Sequence, residues 1–97
     1  MPLTATGHFA TEKASQYLQQ LCKHFSHKID VRFDETTGEI ALPPGPSRLS
    51  AENGRLVIEV TGDDGEALAR AKSIIDKHLV RFAFREDFET MDWQDAA

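Results

Sequence analysis

Leu21 to Lys28 read LCKHFSHK, which places a thiol, two imidazoles and two ammonium groups within eight residues of a chain that has one Cys and four His. Three chemistries fit such a cluster: half of a metal centre, a thiol with a neighbouring base, or the cationic end of a helix. At about 100° per residue, Cys22 and His24 diverge by about 160° on a helix, so one ion cannot be chelated by both. His24 and His27 are three apart and can converge, but there is no accompanying Glu in a zincin pattern and no second Cys. A structural zinc ion takes four ligands. The expectation is therefore no metal site and no cofactor, with a small metal-dependent enzyme or metal carrier using His24, His27 and His78 as the alternative. Cys22 falls on the apolar stripe of its helix, where a lone thiol behaves as a small hydrophobe. Lys23, His24, His27 and Lys28 occupy the last helical turn in this reading, where unsatisfied carbonyls favour cations by about 0.3 to 1 kcal/mol each.

A second cationic stretch, HLVRFAFRE, sets His78, Arg81 and Arg85 at i, i+3 and i+7 along the border of another helical stripe. A solvated helix edge with C-terminal arginines accounts for these residues without a ligand. The functional reading is anion recognition, because Arg presents a planar fork suited to carboxylate or phosphate. If the two helices cover one sheet face and run antiparallel or nearly so, their ends bring His24 or His27 to this edge. The candidate ligand-binding set is then His24, His27, Lys28, His78, Arg81 and Arg85. His8 stands on the polar side of a strand and is expected to be exposed. There is no nucleophile elbow, no Gly-rich phosphate loop and no paired-carboxylate pattern, so enzymatic activity is not the expectation.

The elements that must position these residues follow from periodicity. LTATGHF (Leu3 to Phe9) alternates apolar and polar residues as a half-buried strand does. Thr11 is placed as the cap of a helix whose core positions are Ala14, Leu18, Leu21, Cys22 and Phe25. IDVRFD alternates Ile29, Val31 and Phe33 inward, and TTG turns the chain into a strand from Ile40 to Leu42. The prolines of PPGP (Pro43 to Pro46) interrupt any sheet ladder, and the strands on either side are read as separate or as one bent strand. Asn53-Gly54 supplies a tight hairpin leading into RLVIEV, with Leu56, Ile58 and Val60 on one face. Asp63 with Glu66 three residues on reads as a capping box, opening a helix with Leu68, Ala71, Ile75, Leu79 and Phe82 toward the core. The order is β-α-β-β-β-β-α, an α+β fold with a mostly antiparallel sheet of four to five strands and both helices on one face.

With 97 residues, 40% apolar and 28% charged, the chain fits one soluble globular domain. All the lysines and arginines lie in residues 1–85, where acidic residues balance them. The net charge of -5 comes from Glu86, Asp87, Glu89, Asp92 and Asp95. A neutral body lacks the positive field that draws proteins to nucleic acid, so no nucleic-acid partner is expected. No long apolar run suggests a membrane span, and Met1 to Phe9 has neither a basic n-region nor an apolar h-region, so the expected location is cytoplasmic. The division expected is a single domain over 1–85 and an acidic tail over 86–97. That tail is expected to fold back partly, setting Phe88, Met91 and Trp93 against the body and its acids toward Arg81 or Arg85.

YLQQLCKHFSHK (Tyr17 to Lys28), RLVIEV (Arg55 to Val60), HLVRFAFRE (His78 to Glu86) and Trp93 together resemble the bacterial family catalogued as domain of unknown function 2218. The resemblance spans nearly the whole chain and implies no established activity. Some relatives accompany siderophore-interacting proteins, which implies a siderophore-related partner and an accessory role in iron acquisition. RLVIEVTGDDGEALARAKSIIDKHL is also similar to the strand and long helix of the phosphohexomutase C-terminal domain, but the phosphate-binding R-x-S-G-T-E-P loop of those enzymes is absent. That second likeness implies architecture alone. The functional expectation is a non-enzymatic binding or accessory module for an anionic small molecule, an iron chelate or an acidic protein partner. Val57, on the sheet face away from the core, leaves the chain a monomer or a homodimer.

Overall fold

A computed structural model describes residues 3–52, 54–83 and 91–95. The chain runs β1 (Leu3–Ala10), α1 (Ala14–Phe25), β2 (Val31–Phe33), β3 (Thr37–Ile40), β4 (Ser47–Glu52), β5 (Arg55–Gly62), α2 (Gly65–Phe82) and β6 (Asp92–Asp95). The strands form one antiparallel sheet in the order β2-β3-β4-β5-β1-β6. α1 packs on β2, β3, β4 and β5, and α2 on β5 and β1, so the helices share one face and touch each other. Between them and the sheet lies a single core that includes Leu18, Leu21, Ile40, Leu56, Ile58, Val60, Ile75 and Leu79. The expected α+β architecture is observed, and Ile58 is fully buried. The sheet has six strands instead of four to five, because Asp92–Asp95 adds a strand along β1.

Several local expectations shift. β3 begins at Thr37, and the turn before it lies at Asp34 to Thr36: the Asp34 carboxylate accepts the backbone N–H of Thr36 and of Thr37, each at 2.8 Å. Gly38 therefore sits inside a strand and not in the turn. Its missing side chain makes room for α1, since a Cβ there would fall 2.8 Å from Cys22 Sγ. Phe33, expected inward, is 38% exposed, because β2 is a three-residue edge strand. The proline segment separates two antiparallel strands, closing with Gly45 N–H donating to the Leu42 carbonyl at 3.0 Å. β4 and β5 pair through Glu52 and Arg55, and Gly54 between them has φ of +73°; Asn53 lies outside the described residues.

Both helix starts also move. Lys13 occupies the N-cap position of α1 without a side-chain capping bond, while the Thr11 hydroxyl accepts the Lys13 N–H at 3.1 Å, so Thr11 orders the approach to the helix from two residues away. For α2 the cap is Asp64, not Asp63: its carboxylate accepts the Ala67 N–H at 2.8 Å. The sheet face away from the helices is polar. Cross-strand neighbours alternate along it as Arg32, Glu39, Arg48 and Glu59, and Val57 stands between Ser50 and His8. An antiparallel sheet with one solvated face needs no further layer to be stable.

β6 is held from two sides. Trp93 pairs opposite Gly7, where a Cβ would fall 2.9 Å from the indole ring. Asp76 on α2 accepts the Met91 N–H at 3.1 Å and the Trp93 indole N–H at 3.0 Å. Lys72 pairs with Asp95 at 2.5 Å. Among the described residues, then, the acid of this segment that makes an ion pair meets Lys72, not Arg81. Phe88 lies outside the described residues.

Candidate functional site

Fold geometry brings the two cationic stretches together. α1 ends at Phe25, and Ser26 closes it: the Ser26 N–H donates to the Cys22 carbonyl at 2.9 Å and its hydroxyl to the Lys23 carbonyl at 2.7 Å. His27 and Lys28 consequently lie in the turn beyond the helix and not in its last turn. Lys28 and Ile29 both donate backbone N–H groups to the Phe25 carbonyl at 3.0 Å, folding this turn back on the helix end. Hydroxyl and amide groups thus satisfy carbonyls that a simple helix end leaves open.

On the other side, His78 and Phe82 lie four apart on α2 and share a helix face. The His24 and His78 rings approach to 4.8 Å between centroids. Phe25 lies 4.7 Å from His78 and 5.5 Å from His24, and Phe82 lies 6.1 Å from His24. His78 Nδ1 is 2.7 Å from the Ile74 carbonyl oxygen. A carbonyl only accepts, so Nδ1 carries the proton and a neutral His78 keeps its lone pair on Nε2.

Positive charge surrounds His24 among the described residues. Burial, followed by the neighbouring His78, Arg81, His27 and Lys28 charges, pulls the His24 imidazole below its ordinary range. Among the described residues, the charges acting on that ring are positive. Among the described residues, none of His24, His27, Lys28, His78 and Arg81 makes an ion pair with a carboxylate. Helix-end carbonyls favour these cations where they stand, but they do not relieve the repulsion between them.

Of the six sequence-derived residues, His24 and His78 approach each other, the charges of Arg81, His27 and Lys28 also act on His24, and Arg85 lies outside the described residues. Phe25 and Phe82, core positions by helical spacing, also flank the ring cluster. Their spacing from His24 and His78 carried that information, because i, i+1 and i, i+4 neighbours flank the same helix ends. Cys22 takes no part: it is fully buried under Gly38, and burial pushes its thiol up to about 11. His8 is half-buried on the opposite sheet face. No group of three or more His, Cys, Asp or Glu side chains able to hold a metal ion is found among the described residues.

A hollow of about 650 Å³ opens on the polar sheet face between Arg32, Arg48 and Glu59. At the histidine junction His24 and Arg81 are exposed and His78 is half-buried.

No curated protein matches the chain. An NMR structure of PA4090 from Pseudomonas aeruginosa is similar, with 30% sequence identity, a TM-score of 0.78 and coverage of 95% of each chain. Residues 6–94 match the model of an uncharacterised protein family conserved in bacteria, domain of unknown function 2218, and the chain belongs to that family.

Proposed function

We propose that this protein is a non-enzymatic binding or accessory module that holds an anion at the junction of α1 and α2. The ligand class comprises anionic small molecules, iron chelates with anionic donor groups, and acidic surfaces of a protein partner. One observation carries the reading: His24 and His78, from different helices, stand 4.8 Å apart in a field to which Arg81, His27 and Lys28 add further positive charge. Gathering like charges costs free energy, and a bound carboxylate or phosphate recovers it through charge-assisted hydrogen bonds. Arg81 supplies the planar fork and Lys28 a mobile point charge. A siderophore-related partner, implied by the family resemblance, belongs to this class because such chelates and their carriers present anionic oxygen. Among the described residues no helix is long and apolar enough to cross a membrane.

The test is a titration of isotope-labelled protein with carboxylate- and phosphate-bearing small molecules alongside neutral analogues of the same shape. Anions should shift the signals of residues 24–28 and 78–82 more than the neutral analogues do, and added salt should weaken the effect. Shifts centred on another surface would refute the site.

A second reading, a metal-dependent enzyme or metal carrier, draws on the Ile74 bond that leaves the lone pair of neutral His78 on Nε2. Metal-ligating histidines are oriented in this way. Two imidazoles are a partial ligand set, and calorimetry with Zn²⁺ and Ni²⁺ separates the readings. Stoichiometric submicromolar binding abolished by His24→Ala would favour the metal.

A further inference from the structure

We infer that the His24–His78 pair takes up a proton together with its anion, so that the site prefers doubly charged oxyanions, of the sulfate or phosphate type, and binds them more tightly as pH falls. This inference rests on the anion-binding reading of the junction and adds the ligand class and its proton coupling.

His78 Nδ1 already donates to the Ile74 carbonyl, so any added proton must enter at Nε2. The His24 ring stands 4.8 Å away between centroids, which means that two charged imidazoles would face each other across one short gap. α1 and the turn after it contribute His27 and Lys28 to this environment, and α2 contributes His78 and Arg81. Phe25 and Phe82 contribute rings with no formal charge. The second proton is therefore held weakly in the free protein, in keeping with the direction in which its surroundings move His24.

An oxyanion at the gap reverses that balance. Each imidazolium offers an N–H donor, and negative charge beside both rings offsets their repulsion. A dianion does so for both, whereas a monocarboxylate offsets one charge. By linkage, whatever factor the anion adds to proton affinity, the proton adds to anion affinity. Arg81 adds a planar guanidinium fork beside the pair.

The experiment uses the full chain and inorganic sulfate, which carries no titrating proton near neutrality. The His24 ring is titrated by NMR in sodium sulfate and in sodium chloride of equal ionic strength, with the His8 ring on the other sheet face as an internal control. Sulfate should raise the His24 midpoint by about half a unit or more, acetate should do so less, and His8 should not respond. In His78→Gln the sulfate effect on His24 should shrink while sulfate still perturbs Arg81. If sulfate shifts the amides of 78–82 without moving the His24 midpoint, or moves His24 and His8 equally, proton coupling is wrong and the anion site itself stands or falls on those amides. If sulfate perturbs neither His24 nor Arg81 at any pH, the anion-binding reading fails and the inference fails with it.

Discussion

Replacing Gly38 by Ala tests how α1, which carries His24, is seated on the sheet. A Cβ at this position falls 2.8 Å from Cys22 Sγ, and 3.4 Å from both Leu18 Cδ2 and Phe33 Cβ. Heavy atoms in a core settle about 3.5–4.0 Å apart, so the sulfur must retreat by about 1 Å. Cys22 and Leu18 are fully buried, which leaves α1 little room to move. Overpacking of this kind costs about 1–3 kcal/mol. For a domain of this size it lowers Tm by about 4–8 °C per kcal/mol. Cys22→Ala alone removes one packed sulfur and costs about 1 kcal/mol. In the double variant the new methyl fills the space left by the sulfur, so the two costs should fall short of their sum by about 1 kcal/mol or more. Thermal and urea unfolding of the wild type, both single variants and the double variant measure the cycle. Strict additivity would show that Gly38 does not seat the helix through Cys22. The same burial pushes the thiol up to about 11, and the sign follows: the unfolded chain releases this proton first. Stability from this group is complete below about pH 8.5 to 9 and is lost as pH rises toward the folded value. Cys22→Ala should flatten that part of the wild-type stability profile.

Asp76→Ala removes the acceptor of both the Met91 and Trp93 N–H groups; it should cost about 1.5–3 kcal/mol and shift Trp93 fluorescence to the red, and an unchanged spectrum would refute the clamp on β6. Asp34 is held below the usual carboxylate range first by the Thr36 and Thr37 backbone N–H groups. Its folded value is depressed, so its contribution is present above the unfolded pKa and is lost as pH falls through the folded one. The stability of Asp34→Asn should therefore converge with that of the wild type at acid pH, and a constant difference down to acid unfolding would contradict this. Asp64→Ala should cost about 1 kcal/mol as a lost helix cap, whereas Asp63→Ala should be nearly neutral; the reverse ranking in urea melts would return the cap to Asp63.

The parts of the fold visible in the sequence were those set by periodic burial. Leu56, Ile58 and Val60 alternate on one face of a central strand, and Ile75 and Leu79 continue a helical stripe, so burial alone identifies both. Positions decided by a partner distant in the chain were not visible. Gly38 looks like a turn residue until Cys22 arrives above it, and Trp93 becomes part of a strand because Gly7 leaves space for the indole and Asp76 holds its N–H. Asp63 and Asp64 are equally good caps by type, and the path of the chain out of β5 selects the second. For the candidate site, the residue types and their helix edges were legible, whereas the 4.8 Å approach of His24 to His78 depends on how two helices cross one sheet. His27 and Lys28 moved off the helix because the Ser26 hydroxyl takes a helix carbonyl, a local competition that helical periodicity does not register.

The most direct test of an anion site at the α1–α2 junction is a sulfate titration of the wild type and of Arg81→Glu, followed through backbone amide signals at constant ionic strength. Arg81 is exposed, so its reversal should leave the fold intact while replacing one cation of the cluster by an anion. The account predicts saturable shifts confined to residues 24–28 and 78–82 in the wild type, and affinity reduced by about tenfold or more in Arg81→Glu. Equal affinity in both proteins, or shifts centred away from His24 and His78, would contradict it.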